Sequence, residues 1–150
     1  MKKAKYLSLL IMIFILLTSC SAAPKYVPNG FTKSEEHFDK DGFQDYTDFC
    51  IYTYDSADCF INNSNYSIIT DNDIENLKCY FDNFQGWMET EERLNEYSFD
   101  SNSISLGDYF HIETKEGEQI GGGKYAKYDN YDVYFFDIET MTLYYIHNNI

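Results

Sequence analysis

One segment in the middle of the chain constrains the fold more than any other, because it has the pattern of a long amphipathic helix. Thr70 is a typical helix-capping residue, and Asp71 and Asp73 follow it, where acidic groups meet the positive end of the helix dipole. Large apolar residues then recur at spacings of three and four: Ile74, Leu77, Phe81, Phe84 and Met88. This spacing predicts a helix that ends near Thr90 and presents one apolar stripe. A stripe so rich in aromatic rings needs a broad apolar partner, and a sheet face provides one.

Runs of β-branched and aromatic residues lie on both sides of this helix and predict strands. The predicted strands are 49–54, 66–69, 96–99, 109–114, 132–138 and 142–147. The last two flank a turn at Glu139 and Thr140 and predict a hairpin. Because strands joined by short turns usually pair antiparallel, we expect an α+β fold: a single twisted antiparallel sheet with one amphipathic helix packed across one face. A small open barrel with a helical plug is the alternative.

The first twenty residues have the pattern of an export signal. Three lysines precede an apolar run over 7–17, which is too short to cross a bilayer comfortably. The run closes with Leu17-Thr18-Ser19-Cys20, which resembles the lipobox of bacterial lipoproteins. This resemblance implies that the chain is cut before Cys20, that the Cys20 thiol carries a diacylglyceryl group, and that the protein is anchored by lipid to the extracytoplasmic face of the cell membrane. An uncleaved helix, or an ordinary signal peptide cut elsewhere, is the alternative.

The organisation that follows from this resemblance has three parts. Residues 1–19 are the signal peptide, 20–33 a lipid-anchored tether, and 34–150 the α+β domain. Both prolines of the chain, Pro24 and Pro28, fall in the tether segment, as in a linker that lifts a domain off a surface.

The chain is strongly acidic, with 11 Lys and Arg against 25 Asp and Glu and a net charge of −14. This composition excludes nucleic acid as a partner, because binding to phosphates needs Lys and Arg to displace counterions. It also disfavours docking onto anionic lipid. A cationic partner, a metal ion, or simply a well-solvated acidic surface is compatible with it.

Three cysteines remain beyond the anchor: Cys50, Cys59 and Cys79. Export permits a disulfide, although an odd number leaves at least one thiol unpaired within the chain. If 49–54 and 56–61 form a hairpin, Cys50 and Cys59 face each other and a bridge between them is feasible. Plain buried thiols are the alternative, and no Cys-x-x-Cys spacing indicates zinc.

An acidic stretch before the first predicted strand partly resembles an EF-hand calcium loop. If the loop starts at His37, its ligand positions are occupied by Asp39, Asp41, Asp45 and Asp48. Two features depart from the pattern, because His37 replaces the first Asp and Asp48 is shorter than the usual bidentate Glu. The sequence leaves open a weak calcium site and a solvated acidic turn.

Aromatic residues are abundant, with 15 Tyr and 12 Phe. One face of the predicted sheet lies under the helix, and the other is exposed unless something covers it. An exposed aromatic face would bind a protein or a glycan by stacking and burial. The candidate residues for that face are Tyr131, Tyr134, Tyr144 and Tyr145. Ordinary strand residues with solvated hydroxyl groups are the alternative.

No motif in the sequence fixes a reaction, since neither Gly-x-Ser-x-Gly nor His-Glu-x-x-His occurs. His111 and Glu113 share one strand face, and His147 lies on the last predicted strand. Two histidines and a glutamate are able to act as acid and base, but the sequence does not bring them together.

The sequence therefore favours a non-enzymatic lipoprotein that binds a protein or glycan, with no cofactor other than calcium at the weak site. An exported hydrolase or accessory enzyme with an unrecognised site is one alternative. An inhibitor or immunity-type protein, whose acidity steers a basic target, is another. An enzyme is expected to show a concave pocket with converging polar groups, and a binding module an apolar patch or groove.

Overall fold

The predicted sheet and helix are both present, so the α+β fold is confirmed. The computed structural model describes residues 23–39, 46–114 and 130–149. Within these ranges the strands are β1 (Lys33–His37), β2 (Tyr46–Thr53), β3 (Ser67–Ile68), β4 (Tyr109–Thr114), β5 (Tyr131–Asp137) and β6 (Thr142–Asn149). The helices there are α1 (Asp58–Ile61) and α2 (Asp71–Thr90), with single 3₁₀ turns at Leu94–Glu96 and Ser101–Ser103. All described strands pair antiparallel in one sheet, in the order β1-β2-β6-β5-β4-β3.

Helix α2 has the predicted bounds and the predicted cap. The Asp73 carboxylate accepts hydrogen bonds from the Thr70 backbone N–H (2.9 Å) and the Thr70 hydroxyl (2.6 Å). The buried side of the helix consists of Leu77, Tyr80, Phe81, Phe84 and Met88. These side chains pack on what we call the first face of the sheet, which includes Phe49, Val133, Phe135 and Ile146. Helix and sheet thus bury each other's apolar surface, which is the main stabilising contribution on this side.

The second face of the sheet is also covered, and this was not predicted. Its buried side chains are Cys50, Tyr52, Tyr134, Phe136, Leu143 and Tyr145. Helix α1 covers one part, where the rings of Phe60 and Phe136 stack with centroids 3.7 Å apart. Residues 23–32, which we call the N-terminal strap, cover another part, with Tyr26, Val27 and Phe31 packed against the cluster.

The strap is held to the sheet by hydrogen bonds along its length. Tyr26 donates its hydroxyl to Glu113, and the Tyr54 hydroxyl donates to the carbonyl of Pro28 at 2.8 Å. Beyond these contacts, the Thr32 N–H donates to the Thr53 carbonyl at 2.8 Å, directly before β1 begins. The sequence assigns these residues to a tether, whereas the described part of that segment lies on the domain.

Two local predictions are wrong, and one strand was missed. Residues 56–61 do not form the second strand of a hairpin, because 58–61 form helix α1. Phe60 of this helix packs into the buried cluster on the second face of the sheet. Residues 96–99 do not pair in the sheet, and the first of them, Glu96, belongs to the 3₁₀ turn at Leu94–Glu96. Strand β1 was not predicted at all, because it is a polar edge strand. In the described ranges, no helix combines the length and apolarity that a membrane crossing requires.

Candidate functional site

The aromatic residues expected to form an exposed binding face are largely buried, so that prediction is wrong. Tyr131 and Tyr134 are each 1% exposed, Tyr145 is 5% exposed, and Tyr144 is half-buried. Tyr131 and Tyr144 point to the first face, under α2, whereas Tyr134 and Tyr145 point to the second face, under the strap. The four side chains are therefore divided between two cores and cannot form one surface.

Polar side chains instead converge at one end of the second face, where β4 and β6 finish and β2 and β5 begin. We call this region the polar end. The register places Glu113 opposite Asp132, Asp132 opposite His147, and His147 opposite Asp48. These four residues form a polar row across four adjacent strands, about 14 Å long at the usual strand spacing. Residues far apart in sequence are brought together only by this register.

At the centre of the polar row, Asp132 orients His147. Its Oδ1 atom lies 2.9 Å from His147 Nδ1 and accepts a 2.6 Å hydrogen bond from the Tyr145 hydroxyl. The His147 ring also stacks on Tyr46, with centroids 4.7 Å apart. The other ring nitrogen, Nε2, is shielded from solvent and has no hydrogen-bond partner in the described part of the chain. A carboxylate that accepts from Nδ1–H leaves Nε2 as the ring nitrogen that can take up a proton, which is the arrangement of a general base.

The two outer members of the polar row have different electrostatic environments. At Glu113, the Tyr26 hydroxyl at 2.6 Å and the Lys25 ammonium at 3.1 Å hold the pKa of the carboxyl below its ordinary value. At Asp48, burial raises the pKa, although the Asp39 N–H donates to its carboxylate at 3.0 Å. The row therefore has an ionised, solvent-accessible end at β4 and a more buried end at β2.

A second polar cluster adjoins the row at the sheet edge and is organised by Arg93. The Arg93 guanidinium donates to the Thr47 carbonyl at 3.0 Å and forms a 2.8 Å ion pair with Glu96. Asp39 lies 3.9 Å and Glu91 3.5 Å from the same guanidinium. A cavity of about 510 Å³ opens here, lined by Glu36, His37, Phe38, Asp39, Glu91, Arg93 and Glu96.

A second cavity of about 510 Å³ lies beside the β4 end of the polar row. It is lined by Ile112, Glu113, Thr114 and Asp132. Both cavities are thus at the polar end, and each is lined by carboxylates. From the sequence, a concave site lined by polar groups is expected of an enzyme, and an apolar patch or groove of a binding module, so the shape of these cavities corresponds to the first expectation.

The structure tests only part of the calcium hypothesis. Asp41 and Asp45 lie outside the described residues. Asp39 and Asp48 are brought together, and the guanidinium of Arg93 lies 3.9 Å from the Asp39 carboxylate. No cluster of three or more His, Cys, Asp or Glu suited to a metal occurs within 23–39, 46–114 and 130–149. Calcium binding stays a prediction.

The cysteines of the described chain are free thiols, so the bridge between Cys50 and Cys59 is absent. The hairpin that would align them does not form, since Cys59 lies on α1. Burial raises the pKa of Cys50 to about 12, and burial also raises the pKa of Cys59 and of Cys79. Thiols with raised pKa values are poor nucleophiles at neutral pH. The proposed anchor, Cys20, lies outside the described residues.

Of the three residues singled out as a possible acid–base group, two lie in the polar row. Glu113 and His147 are separated in it by Asp132, which sequence reasoning missed. His111 lies on the same face, where its Nδ1 atom is 2.7 Å from the Asn65 carbonyl and its ring packs on Tyr26. The alternation of Asp132 with Tyr134, and of Tyr145 with His147, was a usable signal that these side chains share a face.

No family model, curated protein or solved structure matches this chain. Its function has therefore to be argued from its own residues.

Proposed function

We propose that this chain is a lipid-anchored protein of the extracytoplasmic face that acts as a binding module for a basic protein, through the polar end of its sheet. The observation that carries this proposal is the convergence of carboxylates at that end while both sheet faces are covered. The named acidic groups there are Asp39, Asp48, Glu91, Glu96, Glu113 and Asp132, and the named cations are Lys25 and Arg93. A net charge of −14 supports the same class of partner, since it speeds encounter with a basic surface.

Glycan binding by aromatic stacking loses its support, because the tyrosines invoked for it are buried or divided between two cores. The inhibitor or immunity-type role remains within the proposal, since such a protein also meets a basic target through acidic side chains.

The anchor rests on the lipobox at residues 17–20 and has its own test. The intact mass of the protein extracted from membranes should correspond to a chain that begins at Cys20 and carries a diacylglyceryl group. A chain that retains residues 1–19, or an unmodified Cys20, would contradict the anchor without affecting the binding site.

Binding is tested with the lipidated protein in detergent and an octalysine peptide as the probe. We expect binding that weakens as salt rises, because exposed charge pairs are screened. Glu113→Gln should weaken it several-fold, whereas Glu89→Gln, a matched change on the exposed side of α2, should leave it unchanged. Equal affinities for both variants would remove the polar end as the binding site.

A second candidate function, acid–base catalysis, is favoured by one specific observation. Asp132 orients His147 as a carboxylate orients a general base, and the shielded Nε2 has no hydrogen-bond partner in the described part of the chain. We would measure hydrolysis of p-nitrophenyl acetate by the unmodified protein, by His147→Gln and by His37→Gln. Loss of rate with His147→Gln alone supports this candidate, and equal rates for all three eliminate it.

A further inference from the structure

The direction of the N-terminal strap relative to the sheet bears on how the domain sits at a membrane. Near its start, Lys25 and Tyr26 contact Glu113, at the polar end. At its finish, the Thr32 N–H bonds Thr53, at the last residue of β2 and therefore at the opposite end of the sheet. The strap thus enters at the polar end and crosses the second face.

Several contacts fix the strap at its entry point. The Tyr26 ring packs on His111 with centroids 4.2 Å apart and meets Tyr134 edge-on at 5.7 Å. The Tyr66 hydroxyl donates to the Tyr26 carbonyl at 3.0 Å, and the Val27 N–H closes a turn onto the Pro24 carbonyl at 3.0 Å. Position 24 is therefore tied to the fold beside Glu113.

Little chain separates this tied position from the proposed lipid. Cys20 and Pro24 are four residues apart, and an extended chain covers at most about 3.6 Å per residue, so the span is at most about 14 Å. A linker of that length cannot let the domain turn over, because the sheet itself is longer than this. Seven residues of β5 span about 20 Å.

We propose that the strap orients the domain on the lipid bilayer, with the polar end facing the membrane and the β5–β6 turn facing away. This inference rests on the proposed lipid anchor. In this arrangement the lipid and the domain are joined by a short connection from Cys20 to Pro24 and by the docked strap, and not by a flexible tether. The polar row would then meet its basic partner close to the membrane surface.

Electrostatic attraction does not hold the domain against the bilayer in this arrangement. The polar end is acidic, so anionic lipid would repel it, and the covalent link must impose the orientation. The orientation is therefore expected in neutral phosphatidylcholine vesicles as well.

The experiment uses tryptophan fluorescence in the lipidated full protein. Trp87 is the only tryptophan, so Trp87→Phe removes the background. Two exposed threonines then serve as matched reporter sites, Thr114 at the polar end and Thr140 in the β5–β6 turn. In phosphatidylcholine vesicles with a headgroup-attached quencher, Thr114→Trp should be quenched several-fold more strongly than Thr140→Trp.

Two further measurements make the outcome decisive. A Gly-Ser insertion of about 15 residues after Ser21 should make the quenching of the two reporters nearly equal, because such a linker is a flexible coil. Equal quenching in the protein without the insertion would overturn the strap's orienting role. Vesicle flotation reports the anchor separately: a protein that does not float overturns the proposed anchor, and the orientation with it. Circular dichroism confirms that each reporter variant is folded.

Discussion

The two faces of the sheet are covered in different ways, and the difference explains what was predictable. The first face lies under α2, a single helix of 20 residues with one continuous apolar stripe. The second face lies under two short pieces, the strap and α1, and at its polar end it carries carboxylates and a histidine. A regular cover such as α2 produces a periodic pattern of apolar residues in the sequence. An irregular cover such as the strap with α1 is held by individual side chains and produces no periodic pattern.

The largest expected effect comes from the regular cover. Phe81 is fully buried and contacts Phe99 and Phe135, with ring centroids at 4.2 Å and 6.1 Å. Phe81→Ala should reduce the free energy of unfolding by about 3–5 kcal/mol, through lost burial and the cavity left behind. Chemical denaturation measures this, with Gln85→Ala on the exposed side of α2 as the control. A loss below about 1 kcal/mol would contradict the view that α2 and the first face form the main core.

The contrast between the faces also separates what the sequence predicts from what it does not. The stripe of α2 and the β5–β6 hairpin follow from local periodicity, and both are confirmed. The strap was missed because Tyr26, Val27 and Phe31 have no regular spacing, and two prolines, Pro24 and Pro28, interrupt the segment. Strand β1 was missed because an edge strand with Glu35 and Glu36 shows no apolar alternation.

The polar row illustrates a different limit. Its members belong to four strands, and their alignment depends on the register of three strand pairs. A shift of one residue in any pair would turn the side chains of one strand to the opposite face. Alternation along a strand predicts which residues share a face. It does not predict which residue of the next strand lies opposite.

The second largest effect is expected in the strap. Tyr26→Ala removes a half-buried ring and the hydroxyl that bonds Glu113, and should lower stability by about 2 kcal/mol. The loss should be local, so hydrogen exchange should speed up at the Val27 and Thr32 amides and not within α2. Asn29→Ala, an exposed change in the same strap, is the control. If exchange increased equally in α2, the strap and the main core would be one cooperative unit rather than two.

A smaller and pH-dependent effect is expected from the hydroxyl of Tyr26 alone. Its hydrogen bond is the first cause that holds the pKa of Glu113 below its ordinary 4.5, so folding favours the ionised carboxylate. The stabilisation is therefore complete above the ordinary pKa and disappears as pH falls through the lowered one. Tyr26→Phe should cost about 1 kcal/mol near pH 7, below the usual range for a charged acceptor because Glu113 is partly exposed.

Unfolding of the unmodified protein and of Tyr26→Phe across pH 3 to 7 measures this difference. We expect the two free energies to converge at the acid end. In the Glu113→Gln background, Tyr26→Phe should have an effect that no longer changes with pH. A constant difference in both backgrounds would mean that the hydroxyl acts through packing and not through the carboxylate.

The smallest effect is expected at Lys25, and it decides what holds the strap. Its ammonium lies 3.1 Å from Glu113 and 4.4 Å from the centre of the Tyr26 ring, but the side chain is 68% exposed. Because exposed ion pairs are screened by water and salt, Lys25→Ala should leave the unfolding midpoint unchanged within error at physiological ionic strength. A clear decrease in the unfolding midpoint that disappeared in high salt would show that electrostatic attraction holds the strap. An unchanged midpoint, together with a loss for Tyr26→Phe, would show that the part-buried hydrogen bond of the Tyr26 hydroxyl holds the strap, rather than the exposed ion pair.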